Sequence, residues 1–178
     1  MKNKAIFLDR DGVLNNAIVK KGKPFPPENL EQITIAPDVF PALQLMKALG
    51  YLLIGATNQP DVARGTTARS WVEEINQRLL QTLPLDDIRV CYHDDQDACD
   101  CRKPMPGLLL SAAKHYEINL RQSIMIGDRW KDIEAGQRAG CKTIWIDRGY
   151  QECRPKIAPD IIVRSLMPAA LWLQKLNY

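Results

Sequence analysis

Two carboxylates, Asp9 and Asp11, follow a short apolar run, Ala5-Ile6-Phe7-Leu8, and are followed at once by Gly12. In an extended segment, residues two apart project to the same side, so these acids share a face. Like charges so close need a cation or a shared proton. Asp128 follows another apolar run, residues 123–127, and can complete a hard-oxygen site for Mg2+. Such an ion would hold a phosphate against Asp9 and screen the repulsion between carboxylate and dianion. Asp9 could then act as a nucleophile and form an aspartyl-phosphate. Asp11 would protonate the leaving alcohol and later take a proton from water. Thr57 and Lys103 offer a hydroxyl and a cation to the equatorial phosphoryl oxygens, where transition-state charge collects.

A second set of reactive groups is soft. Cys91 and His93, then Cys99 and Cys101, supply three thiolates and an imidazole within eleven residues. That donor set suits a closed tetrahedral Zn2+ site, structural because no coordination position is left open. Asp94, Asp95, Asp97 and Asp100 surround the cysteines, a loop composition rather than a core one. The loop runs directly into Arg102 and Lys103, so fixing it would fix those cations. The remaining cysteines, Cys141 and Cys153, bring the total to five. An odd number without an export signal argues against a disulfide framework.

Several elements must position these groups. Residues 5–9, 51–56, 88–92, 123–127, 142–146 and 160–163 read as strands. Residues 38–49, 67–83, 106–116 and 131–139 have helical spacing or helical boundaries, and a last helix is expected from about residue 168. Alternating helices and strands that are apolar on both faces indicate a parallel sheet covered by helices. Ligands of such sheets bind beyond the carboxyl ends of the strands. Asp9-Arg10-Asp11-Gly12, Thr57-Asn58-Gln59 and Gly127-Asp128-Arg129 all fall there. Residues 15–35 lack periodicity, and a loop of that length is often functional.

Composition bounds the function. The chain has 178 residues, 46% of them apolar, and is expected to form a single domain. No apolar run approaches a membrane span. The N-terminal apolar stretch before Asp9 is too short for an export signal, so the protein is expected in the cytoplasm. The net charge of +3 is spread over scattered residues, with one small cluster at Lys20-Lys21-Gly22-Lys23. No basic stripe marks a nucleic-acid footprint, and the expected partner is a small anionic metabolite met by a monomer.

Asp9-Arg10-Asp11-Gly12-Val13-Leu14-Asn15, Thr57-Asn58-Gln59, Arg102-Lys103-Pro104 and Gly127-Asp128-Arg129-Trp130-Lys131-Asp132 together resemble the four motifs of the haloacid dehalogenase superfamily. The match runs in order from about residue 5 to 147. It implies a Rossmann-like fold, Mg2+ and transfer through Asp9. The metal would take Asp9, the main-chain carbonyl of Asp11, and Asp128, with Asp132 supporting the site from behind. Arg10, Asn15, Asn58 and Gln59, within the motifs, are expected to contact substrate. The Cys-x-His and Cys-x-Cys loop leading into Arg-Lys-Pro is similar to D-glycero-D-manno-heptose 1,7-bisphosphate phosphatases and to histidinol-phosphate phosphatases. Both lack a large cap domain, and this chain has no room for one. The zinc loop and residues 15–35 would shape the pocket instead.

The segment Val62-Ala63-Arg64-Gly65 resembles the heptose enzymes, making Arg64 and Arg102, with Lys20, the candidates for a second phosphate. Three departures point the other way: the five residues between His93 and Cys99, Pro60-Asp61, and Tyr92. The sugar bisphosphate is the favoured substrate and histidinol phosphate the alternative. A binding module that has lost catalysis is disfavoured by intact Asp9, Asp11, Lys103 and Asp128. A nucleic-acid end phosphatase is disfavoured by the charge distribution.

Overall fold

Apolar runs with no polar face build the centre of the molecule. The structure, a computed structural model, describes residues 2–176. Its strands are β1 (Lys4–Leu8), β2 (Ile18–Lys20), β3 (Lys23–Phe25), β4 (Tyr51–Asn58), β5 (Asp87–Cys91), β6 (Ile124–Gly127), β7 (Lys142–Ile146) and β8 (Ile161–Val163). The helices are α1 (Val39–Ala48), α2 (Arg69–Thr82), α3 (Gly107–His115), α4 (Trp130–Ala139) and α5 (Leu166–Leu176). Six strands form one parallel sheet in the order β5-β4-β1-β6-β7-β8. This is the Rossmann-like α/β arrangement expected from the alternation. The chain leaves β1 toward β4 and β5, then crosses back to β6 on its other side. That reversal opens a crevice at the carboxyl end of β1.

The period of two along β1 divides the core. Ile6 and Leu8 face one layer with Leu43 and Met46 of α1, Ile75 and Leu79 of α2, and Leu166 and Leu173 of α5. Ala5 and Phe7 face the other with Leu108, Leu109 and Ala112 of α3. α4 lies close to the sheet on that side because Gly136 sits against Met125 and Thr143; a Cβ there would fall 2.6 Å from the Met125 side chain.

Boundaries differ from the sequence expectation where tertiary contacts intervene. β4 runs two residues further, to Asn58, because it pairs with β5 through Asn58 and Cys91. α5 begins at Leu166, with Pro168 in its first turn, where a missing N–H costs nothing. Asp38 precedes α1 without capping it; its carboxylate accepts a hydrogen bond from Met167 N, at the start of α5, at 3.1 Å. The long aperiodic segment contains an antiparallel hairpin of β2 and β3. Its two-residue turn, Lys21-Gly22, has positive φ at both positions (50° and 73°), the geometry favoured by tight hairpins. The hairpin has no apolar alternation to betray it, because it lies on the site rather than on the core.

Leu43 is fully buried between α1 and the sheet. Leu43→Ala is expected to cost about 2–5 kcal/mol, read as a lower urea midpoint with an unchanged slope. A loss under about 1 kcal/mol would contradict this packing.

Candidate active site and metal centre

The carboxyl end of β1 turns sharply into the site. The Arg10 carbonyl accepts hydrogen bonds from Leu14 N (2.9 Å) and Asn15 N (3.1 Å), closing the turn. Gly12 has φ +97°, and a Cβ on it would lie 1.7 Å from Asp128 Oδ2. Only glycine allows the first and fourth motifs to approach this closely. Arg148 holds the turn from outside, donating to the Gly12 carbonyl from Nε (3.0 Å) and Nη2 (2.9 Å).

Three buried carboxylates meet there. Carboxylate oxygens of Asp9, Asp128 and Asp132 lie within 4.8 Å of one another. One ammonium faces them: Lys103 Nζ lies 2.7 Å from Asp9 Oδ1 and 2.6 Å from Asp132 Oδ1, and donates to the Ala56 carbonyl at 2.6 Å. Burial alone would lower the Lys103 pKa; Asp132 and Asp9 outweigh it and hold it above its usual value. Asp9 is pushed up to about 6, chiefly by burial against the opposing pull of Lys103. Asp128 is raised well above the usual carboxylate range by burial and by the charges of Asp9 and Asp132. Both Asp128 oxygens are buried without a well-formed hydrogen bond, and besides Lys103 only the neighbouring Tyr150 hydroxyl opposes the rise. A buried acceptor without a donor is costly. A set of hard oxygens carrying excess negative charge is the donor chemistry of a divalent cation such as Mg2+. Asp132 lies beside Asp9 and Asp128 in this cluster, and its Oδ2 accepts Arg129 N at 3.0 Å.

The Asp11 carboxylate turns away from the cluster. It accepts hydrogen bonds from Arg10 (2.9 Å), Asn15 (3.0 Å) and Gln59 (2.9 Å). Burial would raise its pKa, but the Arg10 charge and these hydrogen bonds hold it below the usual value. Arg10 is completely buried and also donates to Asn76 of α2 at 3.1 Å. Arg10 and Asn15 therefore do not line the cavity expected to receive substrate; the structure uses them to hold Asp11. Gln59 lines the cavity and also donates to Thr57 Oγ1 at 2.9 Å. Asn58 grips the main chain of Lys103 on both sides, donating to its carbonyl (2.9 Å) and accepting its N–H (3.0 Å).

The cavity above Asp9 holds about 510 Å3 and is lined by Asp11, Thr57, Arg64, Arg102 and Lys103 among others. Its outer wall is the β2–β3 hairpin, through Lys23, Pro24 and Phe25, together with Gln151, Glu152 and Cys153. Gln151 N donates to the Gly22 carbonyl at 2.9 Å, tying the two walls together. Lys20 does not line the cavity; it is exposed and paired with Glu28. Arg129 and Lys131 do, Arg129 in a two-point pair with Glu152 (2.6 and 2.8 Å).

Cys91, His93, Cys99 and Cys101 converge on one point, all without disulfides. Their sulfurs lie 2.9–3.7 Å apart, and His93 Nδ1 is 3.3 Å from Cys101 Sγ. A Zn–S bond of about 2.3 Å places tetrahedral sulfurs about 3.8 Å apart, so the cluster is just inside the size of a zinc tetrahedron.

Comparison with known proteins gives concordant matches. A family model described as HAD-hydrolase-like matches residues 100–169. The D-glycero-beta-D-manno-heptose-1,7-bisphosphate 7-phosphatase of Helicobacter pylori (strain ATCC 700392 / 26695) is 40% identical over 146 residues, 79% of this chain and 81% of the relative. The enzyme of the same name from Escherichia coli (strain K12) is 34% identical over 187 residues, 96% and 95% of the two chains. The chain belongs to the heptose-bisphosphate phosphatase family of HAD-like hydrolases. A solved D,D-heptose 1.7-bisphosphate phosphatase from B. bronchiseptica, complexed with magnesium and phosphate, superposes with a TM-score of 0.80 at 26% identity, covering 97% of this chain and 99% of that one.

Within this phosphatase family's motifs, side-chain direction was the part the residues alone did not convey. Arg10 lies inward because α2 offers Asn76, a partner 66 positions away in sequence. Lys23, not Lys20, lines the cavity: the two are cross-strand partners on one face of the hairpin, but only β3 borders the cavity and Lys20 pairs with Glu28. The signal for it was the Lys-Gly turn between two short runs. Gly12→Ala is expected to abolish turnover and lower the melting temperature, because the methyl group would overlap Asp128 and the positive φ would strain the turn. A variant as active and as stable as wild type would refute this packing. Cys99→Ser is expected to reduce zinc below one ion per chain by metal analysis and to lower the melting temperature; full zinc occupancy would remove Cys99 from the ligand set.

Proposed function

We infer that the protein hydrolyses D-glycero-D-manno-heptose 1,7-bisphosphate to the 1-phosphate, releasing the C7 phosphate through an aspartyl-phosphate. The observation that carries the reading is Asp9, buried at the floor of the cavity, hydrogen-bonded to Lys103 and flanked by the buried, under-satisfied carboxylate of Asp128. Membership in the heptose-bisphosphate phosphatase family supports the substrate over histidinol phosphate. Intact Asp9, Asp11, Lys103 and Asp128 oppose a module without catalysis.

Each group has a task that its surroundings fit. An Asp9 oxygen attacks phosphorus while the bond to the sugar oxygen breaks, and Lys103 and Thr57 meet the phosphoryl oxygens. Asp11 protonates the departing alkoxide and then deprotonates the water that cleaves the aspartyl-phosphate. In the free enzyme the donors around Asp11 keep it ionised, suited to the second task. A phosphate dianion arriving beside it raises its proton affinity, which favours the first. Mg2+ held by Asp9, Asp128 and the Asp11 carbonyl, with Asp132 adjacent, would supply charge neutralisation for the dianion. Zinc in the cysteine cluster would be structural. Among the described residues no helix is long and apolar enough to cross a membrane, compatible with a diffusible sugar substrate.

Arg64 and Arg102 suit the distal phosphate, because guanidinium pairs with phosphate oxygens at two points. Loss of either arginine is expected to lower kcat/KM for the bisphosphate by about 1.5–3 kcal/mol and to matter much less for a small aryl phosphate. Lys103→Ala is expected to damage both substrates alike. Equal losses on both substrates for the arginine variants would refute the clamp, and a wild-type preference for histidinol phosphate would overturn the substrate. Asp9→Asn is expected to leave the fold intact and abolish turnover; retention of about a tenth of wild-type kcat would remove Asp9 as nucleophile.

A further inference from the structure

Neither arginine offered to the distal phosphate stands free. Arg64 donates from Nε to Asp94 Oδ2 at 2.8 Å and from Nη2 to Asp94 Oδ1 at 2.6 Å, a two-point pair, with Nη1 on Asp61 at 3.1 Å. Arg102 donates from Nε to Asp95 at 2.7 Å and from Nη1 to the His93 carbonyl at 3.3 Å, and its Nη2 lies 3.9 Å from Asp94. Asp94 and Asp95 sit between the cluster residues His93 and Cys99. Asp94 also opens a short 3-10 turn, Asp95–Asp97: its Oδ1 accepts Asp95 N at 2.7 Å, while its own N–H is held by Asp97 Oδ2 at 2.7 Å. One carboxylate thus joins the cysteine loop to an arginine more than 40% exposed, whose long side chain would otherwise sample many rotamers.

We propose that Asp94 is the positioning residue that sets Arg64 for the distal anion, so that the cysteine loop selects substrate through Arg64 as well as delivering Lys103. Isolated exposed ion pairs contribute little, but a two-point arginine pair within a network is the exception. Of the five Arg64 N–H groups, Nε and one Nη2 hydrogen serve Asp94 and one Nη1 hydrogen serves Asp61, so the two that remain meet the anion already oriented, with the rotamer entropy already lost. Two sources of selectivity follow from this arrangement. The orientation favours an anion at a set distance from Asp9, and the neighbouring carboxylates disfavour anions placed elsewhere on that wall.

The kinetic consequence rests on the bisphosphate reading; the orientation of Arg64 does not. The test is a double-mutant cycle of Asp94→Ala and Arg64→Ala with the heptose bisphosphate, joined to NMR of the Arg64 side-chain Nε–H. Asp94→Ala is expected to raise KM about tenfold with kcat within about twofold, the size of one charge-assisted hydrogen bond lost. In the Arg64→Ala background it is expected to add less than about twofold, because its effect passes through Arg64. Asp94→Asn keeps one acceptor oxygen and is expected to recover part of the loss, at unchanged zinc content. It serves as the test variant if alanine weakens the loop. The Nε–H signal, assigned by its loss in Arg64→Ala, is expected to exchange slowly in wild type and to leave its position in Asp94→Ala. Equal KM losses in both backgrounds, or a KM that falls when Asp94 is removed, would overturn the proposal, the latter by making Asp94 an attenuator of anion binding. An unmoved Arg64 signal would also overturn it whatever the substrate. A wild-type enzyme indifferent to the distal phosphate would instead sink the substrate assignment and leave the NMR result to decide the proposal.

Discussion

Mutual repulsion among the carboxylates of Asp9, Asp128 and Asp132 is the constraint on which this structure turns. It follows from the sheet. β1 and β6 are parallel neighbours paired through Leu8 and Ile126, so the residues that follow them, Asp9 and Asp128, emerge side by side. The first turn of α4 then brings in Asp132. Burial makes each charge more costly, and one lysine cannot compensate three acids. The imbalance is what makes the site a cation receptor and, with a cation present, a receptor for phosphate.

Lys103 carries that compensation, and much of the surrounding architecture serves to hold it. Asn58 fixes its main chain from β4, the Ala56 carbonyl fixes its ammonium, and the cysteine cluster ends only two residues before it. Around this floor the cavity wall carries three arginines each matched with an acid: Arg64 with Asp94, Arg102 with Asp95, Arg129 with Glu152. The matched pairs keep the wall oriented without adding a large positive field that would trap any anion. In place of a cap, the β2–β3 hairpin and residues 151–153 enclose the remaining side.

The sheet, its order of elements and the convergence of the motifs were legible because each depends on local pattern: continuous apolar runs, helical spacing, and acids or glycines at run ends. The cysteine spacing was legible for the same reason, as donor chemistry within a short segment. Three features were not. Arg10 sits in a motif that marks the site, yet its direction is decided by Asn76 on α2. Asp132 is in the first helical turn as expected, but how near it comes depends on a close approach at Gly127, where a Cβ would lie 2.1 Å from Asp132, which brings its carboxylate beside Asp9 and Asp128. The hairpin is made mostly of exposed residues, with none buried, so only its turn chemistry could have revealed it.

The central claim is most directly tested by Asp128→Asn, followed by calorimetric Mg2+ binding and metal-free thermal unfolding. If the cluster is an over-charged receptor, the amide removes repulsion without changing shape. The metal-free variant should then unfold at a higher temperature than wild type. Its Mg2+ affinity should fall by more than the roughly 10–100-fold that loss of an outer metal-site partner costs. A metal-free variant less stable than wild type that still binds Mg2+ as tightly would contradict the account.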